Sequence, residues 1–215
     1  MVDNFEHIRS LLKFENDDDC YYVQLLRRQS DDPLINGQKD PKYHGNMHSR
    51  SIKDYFIRSV EHLDEVKDDI IKLCEMFNVR AYIRLNKRRY KNIALAMLKH
   101  IAEQASSGET YSSPFHMVAS AAGKANSAGD DKTWIVDVDA EYVPYVDRIK
   151  NLIEQCEPFD RQKIVDTVQT KSGLHIIAKP FNVQTFTNLW DSDPDLSAMH
   201  RIDIHKDNPT ILYVP

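Results

Sequence analysis

The order in which short apolar runs and helical periodicities follow one another after residue 80 limits how this chain can fold more than any other feature. RAYIRLN at 80–86 sets Ala81, Ile83 and Leu85 against Arg80, Tyr82 and Arg84, the period-two pattern of a half-buried strand. A helix is expected from about Arg89 to Gln104. The stretch 112–128 offers Ser113 as an N-cap and Pro114 at the first helical position, so it reads as a short helix. TWIVDVD at 133–139 is the next strand. Pro144 opens a helix to about Cys156, with Val146, Ile149, Leu152 and Ile153 on one face, and Pro158 stops it. KIVDTVQ and LHIIAKP read as two strands joined by the turn Thr170-Lys171-Ser172-Gly173. Asn182 can cap a helix through Trp190, and MHRIDIH and TILYVP are expected to form a last hairpin around Lys206-Asp207-Asn208-Pro209. The resulting order, β-α-(α)-β-α-β-β-α-β-β, predicts an α+β fold around a mostly antiparallel sheet flanked by helices.

Ahead of this run, Phe5, Ile8, Leu11 and Leu12 share a helical face, and CYYVQLLRRQ at 20–29 reads as a strand. The segment 30–46, with two prolines and two glycines, reads as an exposed loop. Ile52, Phe56, Val60, Leu63, Val66, Ile70, Ile71 and Leu73 keep steps of three and four, which predicts one long helix from Ser51 to Met76. The 215 residues therefore divide, on this reading, into an N-terminal αβ extension at 1–79 and a core at 80–215.

No apolar run approaches 18 residues and the first ten residues carry acids early, so neither a membrane span nor a targeting leader is expected, and the cytoplasm is the expected setting. Cys20, Cys74 and Cys156 are too far apart for a zinc knuckle and read as ordinary thiols. The net charge of −5 argues at first against a nucleic-acid partner. Its distribution weakens that argument: residues 1–79 hold 11 Lys/Arg against 16 Asp/Glu, and residues 80–215 hold 17 of each.

Chemistry concentrates at four places. Asp137 and Asp139 end an otherwise apolar strand two residues apart, on one face, where paired carboxylates suit a hard cation such as Mg²⁺ or Mn²⁺. An acidic strand end in solvent would carry the same residues. His175 stands at the mouth of a hairpin strand behind Gly173, whose lack of a side chain leaves room for a ligand, with Lys171, Ser172 and Lys179 close in sequence. Such a set could hold a polyphosphate, and a core histidine bonded to a carbonyl is the alternative. Asp203 lies between Ile202 and Ile204 and would complete a two-metal site from a neighbouring strand; Asp207, in the turn, competes for that role. Arg80, Arg84, Lys87, Arg88, Arg89 and Lys91 place six cations, interleaved with Tyr82 and Tyr90, within twelve residues that contain no acid. This run reads as a phosphate cradle at a strand-to-helix junction, or as a solvated basic helix start. His44 and His48 have i,i+4 spacing, but Gly45 and the loop context argue against a metal site there.

Taken together, the DVD strand, the small-x-His strand TKSGLHIIAKP and the hydrophobic-Asp strand RID, in that order, resemble the three motifs of the archaeo-eukaryotic primase superfamily. This superfamily includes primase-polymerases of plasmids, viruses and phages. The resemblance covers about residues 80–215 and implies a catalytic centre on an RRM-like sheet with an additional N-terminal αβ unit. By position, it implies that Asp137, Asp139 and Asp203 hold two Mg²⁺ or Mn²⁺ ions. It also implies that His175, with Ser172, Lys171, Lys179 and Arg84 nearby, contacts a nucleoside triphosphate, and that Lys87, Arg88, Arg89 and Lys91 touch DNA template or primer. The implied activity is nucleotidyl transfer to a 3′-hydroxyl, with a helicase or other replication protein as a further partner. The chain departs from many replicative primases in carrying no zinc-binding insertion. Two other readings remain: a metal-dependent nuclease built on the same carboxylates, and a non-catalytic module that stacks bases on an RRM-like sheet through Tyr82.

Overall fold

The computed structural model describes residues 1–31, 48–108, 113–124, 127–129 and 131–215. In chain order the elements are β1 (Val2–Asp3), α1 (Phe5–Leu11), β2 (Asp19–Arg28), β3 (Ser49–Ile57), α2 (Val60–Phe77), β4 (Arg80–Ile83), β5 (Arg88–Arg89), α3 (Tyr90–Ser107) and α4 (Pro114–Gly123). There follow β6 (Trp134–Val138), α5 (Val146–Glu154), β7 (Ile164–Gln169), β8 (Leu174–Ala178), α6 (Val183–Ser192), β9 (Ile204–His205) and β10 (Thr210–Val214). The result is an α+β protein with antiparallel sheets flanked by helices. It divides into two compact units, Asp3–Asp131 with Ile211–Pro215, and Lys132–Thr210. The division thus falls after residue 131 and not at 79, because the strand that starts at Arg80 is stitched into the sheet of the first unit.

That sheet runs β1-β10-β4-β2-β3, with β5 added to β2. β4 is an interior strand, so Ala81, Tyr82 and Ile83 are all buried where alternation predicted a half-exposed strand. Arg28 covers the Tyr82 ring at 5.1 Å, and its Nε donates to the Tyr82 hydroxyl at 2.9 Å. A second correction concerns the long helix expected from Ser51. Residues 49–57 are instead a strand paired with β2, Phe56 standing opposite Tyr22 with the two rings stacked 5.1 Å apart. The break signal is Ser59, whose hydroxyl accepts the His62 N–H at 3.1 Å and caps α2. Ser113 caps α4 in the same way, as expected.

In the second unit the order β6-α5-β7-β8-α6-β9 gives an antiparallel sheet β7-β8-β6-β9, the RRM-like arrangement. Val136, Val138, Ile176 and Ala178 pack with Ile149, Leu152 and Ile153 of α5 and Phe186 and Trp190 of α6. Trp190 is fully buried. An aromatic side chain of this size removes about 200 Å² from water, or about 5 kcal/mol at 25 cal/mol per Å². The expected C-terminal hairpin does not form. β9 pairs with β6, while β10 joins the first sheet between β1 and β4.

β5 is tied to β2 by charge as well as by its ladder. The buried Asp19 carboxylate accepts the N–H groups of Glu15 (3.0 Å) and Asn16 (3.2 Å) and pairs with the Lys87 ammonium at 3.0 Å. Burial pushes its pKa up, but the N–H of Glu15, the Lys87 ammonium and the N–H of Asn16 outweigh that and hold it below the usual aspartate value. Since the folded carboxyl is the stronger acid, its contribution is complete above the unfolded value of about 3.9 and drains away as pH falls through the folded one. Asp19→Asn should cost about 2 kcal/mol at pH 7, read by urea unfolding, with the gap to wild type closing below about pH 4.

Candidate functional site

Alternation along β6 sends Val136 and Val138 into the helix-covered core and Asp137 to the opposite face. On that face Asp137 stands opposite His175 of β8, which in turn stands opposite Val168 of β7. On its other side the Asp137 N–H donates to the Asp203 carbonyl at 2.9 Å, continuing the β6–β9 register in which Val136 faces Ile204. One row of the sheet, Val168–His175–Asp137–Asp203, therefore crosses all four strands. This places Asp203 beside Asp137. Asp207 is four residues further on, in the turn beyond β9 near the opposite end of β6, where the neighbouring Lys206 ammonium lies 5.2 Å from the Trp134 ring.

The two facing side chains interact. His175 Nε2 lies 3.4 Å from Asp137 Oδ1, and His175 Nδ1 lies 2.8 Å from the hydroxyl of the buried Thr210. The imidazole is only 12% exposed and the Asp137 side chain 38%, so the pair is anchored on one side and open on the other. Asp139 follows Val138 out of the strand with an extended backbone; its carbonyl accepts the Tyr142 N–H at 2.9 Å and its carboxylate faces solvent.

Gly173 serves a different purpose from the one expected. A Cβ there would sit 2.1 Å from the Val138 carbonyl oxygen and 3.1 Å from the Asp139 Cα, so the space it leaves is filled by the β6 backbone and not by a ligand. The turn is closed by the Thr170 N–H to the Gly173 carbonyl (2.9 Å) and the Gly173 N–H to the Thr170 hydroxyl (3.1 Å). Lys171 and Ser172 are exposed at its tip, at the Asp139 end of β6. Lys179 is at the other end of β8, four residues and about 13 Å of strand from His175.

The basic run belongs to the first unit and is largely turned inward. Arg88 is fully buried, its Nε donating to the Ala122 carbonyl at 2.7 Å and its Nη1 to the Asn86 carbonyl at 2.9 Å. Lys87 is buried between Glu15 (2.6 Å) and Asp19. Arg89 lies 3.9 Å from Asp19, and Arg84 is half-buried with its N–H donating to the Tyr22 carbonyl. Lys91 is exposed on the first turn of α3. Of the set expected to touch nucleic acid, Lys87 and Arg88 are thus internal supports, because local acids and carbonyls claim their charge. Tyr82, covered by Arg28, is no stacking platform.

Among the described residues no three His, Cys, Asp or Glu side chains form a metal cage. His44 lies outside them, and His48 is exposed. The three thiols are buried, which pushes Cys20 and Cys74 up to about 12 and Cys156 up to about 11, so they offer no nucleophile. No described helix is long and apolar enough to cross a membrane.

No protein-family model, curated protein or solved structure matches this chain. Its site is therefore read from geometry. Thr210 is the member that sequence reasoning missed: it follows a turn like many strand-opening threonines, and only the folded register brings it to His175.

The close approach at Gly173 gives a direct test. Gly173→Ala should lose about 1–3 kcal/mol in urea unfolding as the hairpin is forced off β6. Ser172→Ala, one residue away and exposed, should stay within about 0.5 kcal/mol of wild type.

Proposed function

We propose that the second unit is the catalytic core of a primase-polymerase-type nucleotidyltransferase, which adds nucleotides to a nucleic-acid 3′-hydroxyl with release of pyrophosphate. The observation that carries this reading is the single row His175–Asp137–Asp203 on the face of an RRM-like sheet opposite α5 and α6. Three short motifs scattered through the sequence become lateral neighbours, in the order the reading needs.

The donor set fits a divalent cation brought in on phosphate. Mg²⁺ is commonly held by one or two carboxylates plus substrate oxygens, without a full protein cage, and Asp137 and Asp203, with Asp139 at the strand end, offer hard oxygen ligands of that kind. Bound there, Mg²⁺ or Mn²⁺ would neutralise charge on the phosphates and on the attacking and leaving oxygens. His175, held by Thr210, presents Nε2 toward the carboxylate and so toward a triphosphate oxygen docked beside it. Lys171 and Ser172 can reach the outer phosphates from the turn tip. The partners on this reading are nucleoside triphosphates, a DNA template and primer, and a helicase or other replication protein, in a cytoplasmic setting. A base-stacking module is disfavoured by the burial of Tyr82.

The test is extension of a labelled primer-template with nucleoside triphosphates and Mn²⁺. Wild type should extend the primer, and Asp137→Asn should slow it at least about a hundredfold, equivalent to about 3 kcal/mol at the transition state. Equal extension by both proteins, shortening of the primer, or no extension together with no nucleotide binding would each overturn the proposal.

A further inference from the structure

We infer that Thr210 is the positioning residue for His175: its hydroxyl donates to Nδ1 and so holds the ring with the Nε2 proton, which Asp137 dictates, aimed at the phosphate-binding side of Asp137. The inference deepens the nucleotidyltransferase reading and rests on it for the identity of the phosphate.

The argument is one of donors and acceptors. A neutral imidazole has one N–H and one bare nitrogen, and a hydroxyl can serve either. A carboxylate can only accept. With Nε2 3.4 Å from Asp137 Oδ1, a proton on Nε2 meets an acceptor, whereas a bare Nε2 would set its lone pair against the carboxylate oxygen. Nδ1 is then the bare nitrogen, and Thr210 Oγ1 at 2.8 Å must be the donor. One arrangement satisfies every group: Thr210 O–H to Nδ1, and Nε2–H toward Asp137.

Burial makes this arrangement matter. Thr210 is fully buried, and the ring is 12% exposed, so water has little access to replace the hydroxyl. The backbone cannot hold the ring alone, since a half-turn about the Cβ–Cγ bond would put ring carbons where Nδ1 and Nε2 stand without moving the strand. When a triphosphate oxygen docks beside Asp137, the same Nε2–H is its donor, already oriented. Thr210 need not touch the nucleotide to do this.

The experiment reads the tautomer directly. Nitrogen-15 spectra of the full chain, labelled at histidine and recorded at pH 9, report each ring nitrogen as pyrrole-like or pyridine-like, and His175→Gln identifies the His175 signals among those of nine histidines. Wild type and Thr210→Ser, which keeps the hydroxyl, should show Nε2 pyrrole-like and Nδ1 pyridine-like. Thr210→Val should keep the proton on Nε2 but move the Nδ1 signal to that of a pyridine-like nitrogen without a hydrogen-bond donor, and lower kcat/KM for primer extension about tenfold, the loss of one buried hydrogen bond. Thr210→Ser should restore most of it. A wild-type ring carrying its proton on Nδ1, a mixture of tautomers in wild type, or an unchanged spectrum in Thr210→Val would overturn the inference. If Thr210→Val does not fold, Thr210→Ala gives the same readout. Absence of extension by wild type would sink the enzymatic reading alone, because the tautomer assignment needs no substrate.

Discussion

The meeting of Asp137 with His175 hangs on the register of β6 between β8 and β9. Side chains alternate strictly along a strand, so a slip of one residue would carry Asp137 into the core and bring Val136 and Val138 out. The core forbids it. Val136, Val138, Ile176 and Ala178 are buried against α5 and α6, and burying a carboxylate there without partners would cost several kcal/mol. Apolar packing on one face therefore fixes which carboxylate meets which histidine on the other.

The strands β6 and β8 and the turn before β8 are legible in sequence because each is a local pattern: an apolar run with an acidic end, and a turn with glycine. Asn182 and Ser113 were legible as caps for the same reason, and their side chains accept the expected N–H groups. What sequence could not give was non-local. Steps of three and four through Ile52, Phe56 and Val60 suit a helix, yet β2 offers residues 49–57 a ladder and an aromatic partner at Tyr22, and tertiary pairing outweighs propensity. In sequence Gly173 offers space for a ligand, because only the fold shows that the β6 backbone already fills it.

The basic run carries the same lesson for charge. Counted in sequence, six cations without an acid look like an exposed patch. Folded, Lys87 meets Glu15 and Asp19, acids about seventy residues away, and Arg88 binds two carbonyls. Part of the acidic excess of the first 79 residues is thus consumed inside the first unit, and surface potential there cannot be inferred from composition. The Glu15 side is exposed and contributes little, but Lys87 and Asp19 are both buried, where loss of one partner strands the other.

β10 has a consequence for how the protein is made. Its residues Ile211 to Val214 are buried between β1 and β4, so the first unit takes an inner strand from the far end of the chain. During synthesis the first unit must wait, with its sheet open between β1 and β4, while residues 132–210 emerge and can fold as a continuous segment. The order of maturation is therefore inverted: the segment made later can close first, and the segment made first closes last.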